Sequence, residues 1–117
     1  HLVYVGDSIL GNRVNLGAGV KCANLRLDRK EVVLKVEGEE RKTGLKKLGS
    51  IVGDDVQLGC NCVLNPGTLV GREVVVPPLV SLSGFIPPKS RVRSQHEWSL
   101  EPLGKKLLQQ ADRFHVS

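Results

Sequence analysis

Thiols and imidazoles are among the side chains of this chain that could hold a metal or attack a substrate. There are three cysteines, Cys22, Cys60 and Cys62, and three histidines, His1, His96 and His115. Cys60 and Cys62 form a bare Cys-x-Cys pair. Zinc would need further ligands close by, and Cys22 alone does not supply them. An odd cysteine count without a framework spacing points to reduced thiols and a cytoplasmic protein. A histidine-built zinc site needs three converging imidazoles, and His96 and His115 lie in the C-terminal tail, where they read as surface or packing residues. No metal is expected. Phosphate chemistry has a clearer signal. Residues 21–50 hold nine Lys/Arg and five Asp/Glu, a net of +4, against +5 for the whole chain. A basic segment beside a cleft suits phosphate groups on a sugar or a coenzyme; the alternative is a solvated hairpin of mixed charge. Nucleic acid fits less well, because the segment has no aromatic side chain for base stacking and no recognised nucleic-acid motif.

A repeat must position these groups. From Val52 the sequence divides into sixes: VGDDVQ, LGCNCV, LNPGTL, VGREVV, VPPLVS, LSGFIP. An aliphatic residue opens each block, at Val52, Leu58, Leu64, Val70, Val76 and Leu82. The fifth position is small or branched: Val56, Cys62, Thr68, Val74, Val80 and Ile86. The same frame appears earlier as LGNRVN and LGAGVK, opening at Leu10 and Leu16. The segment before it, YVGDSI, fits less well, because Tyr4 stands where an aliphatic should. Each hexad reads as a short strand and a turn, and three hexads close a triangular coil. Opening residues then stack inside the prism, fifth-position residues fill its corners, and successive coils pair in parallel. Gly and Asn/Asp are expected to supply the corner conformations. An antiparallel sandwich with glycine turns is the alternative, and six in-frame hexads argue against it.

The frame breaks between Lys21 and Ile51. Glu31 to Val36 is strand-like and Glu37-Gly38-Glu39 looks like a turn, so residues 22–51 read as a basic hairpin excursion leaving the prism. Such insertions map to one face of a solenoid and are often functional. The repeat ends at residue 87. Lys89 to Gln95 reads as a basic extended exit, and Ser99 to His115 as a helix capped by Ser99 with Leu103, Leu107, Leu108, Ala111 and Phe114 near one face. No window approaches the length needed to span a bilayer, and no signal-like segment opens the chain. The sequence has no methionine and begins at His1, which reads as a domain excised from a longer protein.

The opening segment carries a resemblance. A His-Leu-x-Tyr-x-Gly-Asp motif runs from His1 to Asp7, and Asn-x-Gly-Ala-Gly from Asn15 to Gly19. Together they resemble the acetyltransferase half of the bifunctional glucosamine-1-phosphate acetyltransferase/N-acetylglucosamine-1-phosphate uridylyltransferases. The continuation Ala-Asn-Leu-Arg is similar to the archaeal-type bifunctional sugar-1-phosphate nucleotidylyltransferases with amino-sugar acetyltransferase activity. The resemblance covers roughly residues 1–87. It implies an all-β fold, a left-handed parallel β-helix of hexapeptide repeats, with the hairpin inserted and the C-terminal helix appended. It also implies a homotrimer with a site shared between neighbouring prisms, and an upstream nucleotidylyltransferase domain that this chain lacks.

The resemblance implies roles as well. His1 matches the general base that takes a proton from the attacking amine of the sugar. Tyr4 and Asn15 match residues of the sugar-phosphate pocket, Asn24 a substrate-contacting asparagine, and Lys30 a lysine that reaches the phosphate. Ala18, Cys60 and Pro78 lie where backbone groups meet the acetyl-CoA arm. The chemistry is coherent: imidazole titrates near neutral pH and can accept the amine's proton, while backbone N–H groups can stabilise the oxyanion of the collapsing thioester. No metal is needed for that step. The chain departs from the best-known enzymes at Leu25, where they have Tyr, at Cys60, where they have a small hydroxyl residue, and at Pro77-Pro78, which stiffens the coenzyme region. Two functions follow: acetyl transfer from acetyl-CoA to an amino-sugar-1-phosphate, such as glucosamine-1-phosphate, or a non-catalytic trimerisation or regulatory β-helix attached to a nucleotidylyltransferase.

Overall fold

A computed structural model describes residues 2–95 and 97–104. It shows the prism. Eleven two-residue strands mark its sides: β1 Tyr4–Val5, β2 Ile9–Leu10, β3 Asn15–Leu16, β4 Lys21–Cys22, β7 Ile51–Val52, β8 Gln57–Leu58, β9 Val63–Leu64, β10 Leu69–Val70, β11 Val75–Val76, β12 Ser81–Leu82 and β13 Phe85–Ile86. They stack in parallel into three sheets, β1-β4-β9-β12, β2-β7-β10-β13 and β3-β8-β11. Two further strands, β5 Val33–Val36 and β6 Glu39–Lys42, form an antiparallel hairpin outside the prism. The architecture is all-β and is that of a left-handed parallel β-helix, as the repeat and the resemblance together imply.

The strands are short because a corner interrupts the chain about every six residues, and the second residue of each points inward. Val5, Cys22, Leu64 and Leu82 form one interior ladder; Leu10, Val52, Val70 and Ile86 the second; Leu16, Leu58 and Val76 the third. The fifth-position residues Val20, Val56, Cys62, Thr68 and Val74 are fully buried in the corners. Thr68 tolerates burial because its hydroxyl donates to the carbonyls of Asn65 (2.6 Å) and Leu82 (3.1 Å).

The left-handed corner conformations fall in part on the expected types, Asp7, Asp55, Asn61, Gly19, Gly67 and Gly84, and in part on Arg13, Glu73, Leu79 and Lys89. The glycines that follow the opening aliphatics are not left-handed. A Cβ on Gly53 would come within 2.7 Å of the Arg72 nitrogen, and one on Gly17 within 2.7 Å of the Cys60 nitrogen. Those glycines let one coil approach the next. At the corner between the second and third sheets Arg13 donates twice to Asp55, at 2.6 and 3.0 Å.

Two registers differ from the hexad frame. Val5, not Tyr4, takes the inward place in the first coil, and Tyr4 faces outward beside Lys21. Ile86 is not a fifth-position residue: it pairs with Val70 and occupies an opening place. The corner before it contains only Ser83 and Gly84, and Gly84 makes the tight turn at φ 77°. Parallel pairing then continues from Val75 to Arg91, and Val92 packs on the core. Of the expected helix from Ser99, residues 99–104 are in no regular element; the rest lies outside the described residues.

The excursion is the expected hairpin. Its turn is Glu37-Gly38 with φ of 49° and 83°, the double left-handed turn that matches strand twist. Leu25 bridges Lys47, and Val32 donates its N–H to Leu45 O. Val32 is fully buried, and a Cβ on Gly67 would come within 2.9 Å of its Cγ1. The hairpin root thus rests on a corner of its own prism.

Leu64 stacks between Cys22 and Leu82 with no exposure. Leu64→Ala is expected to cost about 3 kcal/mol through lost burial and the cavity left behind. Denaturant unfolding measures it; a loss below about 1 kcal/mol would mean the ladder is not the core.

Candidate functional site

The three faces of the prism differ in chemistry. Outward positions on the first sheet are Tyr4, Lys21, Val63 and Ser81; on the second, Ile9, Ile51, Leu69 and Phe85; on the third, Asn15, Gln57, Val75 and Arg91. The second face is an uninterrupted apolar column, while the first and third carry polar groups.

On the first face, Tyr4 and Asn24 come together. The Tyr4 hydroxyl donates to Asn24 Oδ1 at 3.2 Å, and Asn24 Nδ2 donates to Asp7 Oδ2 at 2.7 Å. Tyr4 is placed by β1. Asn24 sits where the chain leaves the prism after β4, and Asp7 in the short corner between β1 and β2. The neck of the excursion closes over them, since Leu48 N–H donates to Asn24 O and Gly49 N–H to Asp7 O, each at 2.9 Å. Asp7 stood in the motif without a role; only the bond to Asn24 reveals one. Lys21 lies beside Tyr4 and donates to Gly19 O at 2.8 Å, which places a cation on the same face.

Asn15 is elsewhere, on the third face, where its Nδ2 donates to Gln57 Oε1 at 3.1 Å. Ala18, Cys60 and Pro78 stack in successive coils at the corner between the third and first faces. Asn61 N–H donates to Ala18 O (2.9 Å), and Leu79 N–H to Cys60 O (3.0 Å). Pro78 has no N–H to offer a ligand. Lys30 lies in the exposed part of the excursion, its N–H on Asp28 Oδ1 at 3.0 Å. That bond, with the Arg26 guanidinium 2.6 Å from the same carboxylate, holds Asp28 below the usual carboxylate range. His1 lies outside the described residues.

The Cys60-x-Cys62 pair is divided by the coil. Cys60 is exposed, whereas Cys62 is buried with its thiol on Pro77 O at 3.0 Å. Burial pushes the Cys22 thiol up, partly offset by a hydrogen bond with Ser8. Among the described residues, no cluster of three His, Cys, Asp or Glu side chains could hold a metal ion. A cavity of about 610 Å³ lies where the excursion meets the prism, lined among others by Leu25, Arg26, Leu27, Val33, Asn65 and Ser83. None of the residues expected at the site lines it.

No family model matches the chain. The curated relatives are informative. Over 78 residues, 67% of this chain, it is 44% identical to a bifunctional sugar-1-phosphate nucleotidylyltransferase/acetyltransferase of Sulfurisphaera tokodaii, of which the match covers 20%. It is 44% identical over 73 residues, 62% of this chain and 18% of the relative, to the bifunctional protein GlmU of Methanocaldococcus jannaschii. It is 30% identical over 84 residues to a putative uncharacterized acetyltransferase, YaiX, of Escherichia coli, covering 72% of this chain and 36% of the relative. The chain spans about a fifth of the length of the bifunctional relatives it matches. These matches bear out the resemblance carried by the two opening motifs.

Exposure and burial divide the thiols sharply. One thiol per folded chain, Cys60, is expected to react quickly with an aromatic disulfide reagent at neutral pH, and all three after unfolding. Rapid reaction of two or more in the folded protein would contradict the assigned coil register.

Proposed function

We propose that this β-helix, related as it is to the bifunctional sugar-1-phosphate nucleotidylyltransferase/acetyltransferases, is an N-acetyltransferase domain. It moves the acetyl group of acetyl-CoA to the amine of an amino-sugar-1-phosphate, such as glucosamine-1-phosphate. The observation that carries this reading is the Tyr4–Asn24–Asp7 cluster. It joins Tyr4 and Asp7 of the opening motif to Asn24 of the Ala-Asn-Leu-Arg continuation, on the face beside the Ala18/Cys60/Pro78 corner. The sugar is held at Tyr4 and Asn24, with Asn15 contributed across a subunit boundary. Lys30 meets the phosphate, and the basic excursion around it raises the local concentration of anions. The coenzyme arm runs along the Ala18/Cys60/Pro78 corner.

In the reaction the sugar amine attacks the thioester carbonyl carbon. His1 accepts the proton the amine gives up, the C–S bond breaks, and coenzyme A leaves as the thiol after taking up a proton. The apolar column Ile9, Ile51, Leu69 and Phe85 supports self-association of prisms into a homotrimer. Nothing in the scheme involves nucleic acid, a membrane or a resident metal, and the reduced thiols suit the cytoplasm. The second reading, a non-catalytic trimerisation or regulatory β-helix, is favoured by one observation: Pro78 removes a backbone donor from the coenzyme edge.

Thiol release by the full-length protein with acetyl-CoA and glucosamine-1-phosphate separates the two. Release that depends on the amino sugar and falls at least a hundredfold in His1→Ala, with the oligomer intact, is expected. No release, or undiminished release in that variant, would overturn the assignment. Ile9→Asp places a charge on the apolar column and is expected to shift the oligomer toward monomer in sedimentation; an unchanged oligomer would move the interface to another face.

A further inference from the structure

The hydrogen bonds joining Asp7, Asn24 and Tyr4 have a fixed polarity, and that polarity says what they can hold. A carboxylate oxygen only accepts hydrogen bonds. Asp7 Oδ2 stands 2.7 Å from the Asn24 amide, so the group facing it is the NH2, and Oδ1 is left to face Tyr4. The 3.2 Å contact between Tyr4 Oη and Asn24 Oδ1 then requires the phenol to donate. Its proton spent inward, Tyr4 turns lone pairs to solvent, and Asn24 Oδ1 keeps a second lone pair. Tyr4 Oη and Asn24 Oδ1 are therefore both fixed as acceptors toward an incoming group. Replacing Asp7 by a group that both donates and accepts would remove the constraint, because either orientation of the Asn24 amide would then be satisfied.

The surroundings hold this arrangement in place. A Cβ on Gly6 would come within 2.7 Å of Asn24 Cγ and 2.8 Å of Tyr4 Oη, so the two side chains lie directly across a bare stretch of backbone. Asp7 is in the left-handed region at φ 43° and its carbonyl accepts from Gly49. Its carboxylate is thereby fixed at the neck of the excursion.

We infer that Asp7 is a positioning residue that locks Asn24 and Tyr4 into an acceptor pair, and that this pair selects a ligand presenting a hydrogen-bond donor, a sugar hydroxyl or amine N–H. The inference rests on the amino-sugar reading and names the contact by which that sugar is chosen.

Asp7→Asn is the discriminating variant, since asparagine tolerates a left-handed φ and keeps the shape while releasing the amide. In steady-state acetyl transfer by the full-length protein, the KM for glucosamine-1-phosphate is expected to rise about tenfold and the KM for acetyl-CoA to stay within about twofold. Tyr4→Phe is expected to add little in the Asp7→Asn background, because the two act through one chain of bonds. An unchanged KM for the sugar, or full additivity, overturns the inference. Calorimetric titration of glucosamine-1-phosphate reads the same contact without turnover. Binding weakened about tenfold by Asp7→Asn supports it even in a protein that transfers no acetyl group, whereas equal binding by both proteins, or none by the wild type, overturns it.

Discussion

Each coil is held only by the coils above and below it, and the spacing between coils is set by backbone approaching backbone. At Gly17, Gly53 and Gly59 a single added carbon would strike the next coil. That closeness allows the inter-coil hydrogen bonds, such as Gln57 N–H to Val74 O and Gly59 N–H to Val76 O, both 2.9 Å. It also fixes which residues align on each face. The outward columns follow directly: Tyr4 beside Lys21, Asn15 beside Gln57, and the apolar series from Ile9 to Phe85.

Length variation is confined to one edge of the prism, the corner from the first sheet to the second. There the chain spends residues 6–8 in the first coil, 23–50 in the second, 65–68 in the third and 83–84 in the last. The Tyr4–Asn24–Asp7 cluster and the 610 Å³ cavity both lie along this edge. A stacked solenoid can vary a corner without disturbing its ladders, and both features lie where the period is relaxed.

Much of this was readable beforehand. The ladder from Val52 to Leu82 is right residue for residue, because hydrophobic period and strand period coincide. The hairpin was legible in its Glu37-Gly38 turn. The hexad frame misplaces Ile86 because a branched aliphatic suits either interior position and the pattern does not reveal a corner shortened to Ser83-Gly84. It puts Tyr4 at the opening place for the same reason, one residue being absent from its corner. Gly19, Gly67 and Gly84 make left-handed corners as their type suggests, whereas Gly17, Gly53 and Gly59 serve close stacking, a distinction that needs the third dimension. Asp7 escaped because its partner, Asn24, lies a full coil away.

In the proposed function the sugar binds on the first face at Tyr4 and Asn24, with the coenzyme along the Ala18/Cys60/Pro78 corner. A crystal structure of the full-length protein with glucosamine-1-phosphate and coenzyme A tests it most directly. A sugar hydroxyl or amine is expected within hydrogen-bond distance of Tyr4 Oη or Asn24 Oδ1, and the coenzyme thiol beside Cys60. Sugar found instead in the cavity between Arg26 and Asn65, with the first face empty, would contradict it.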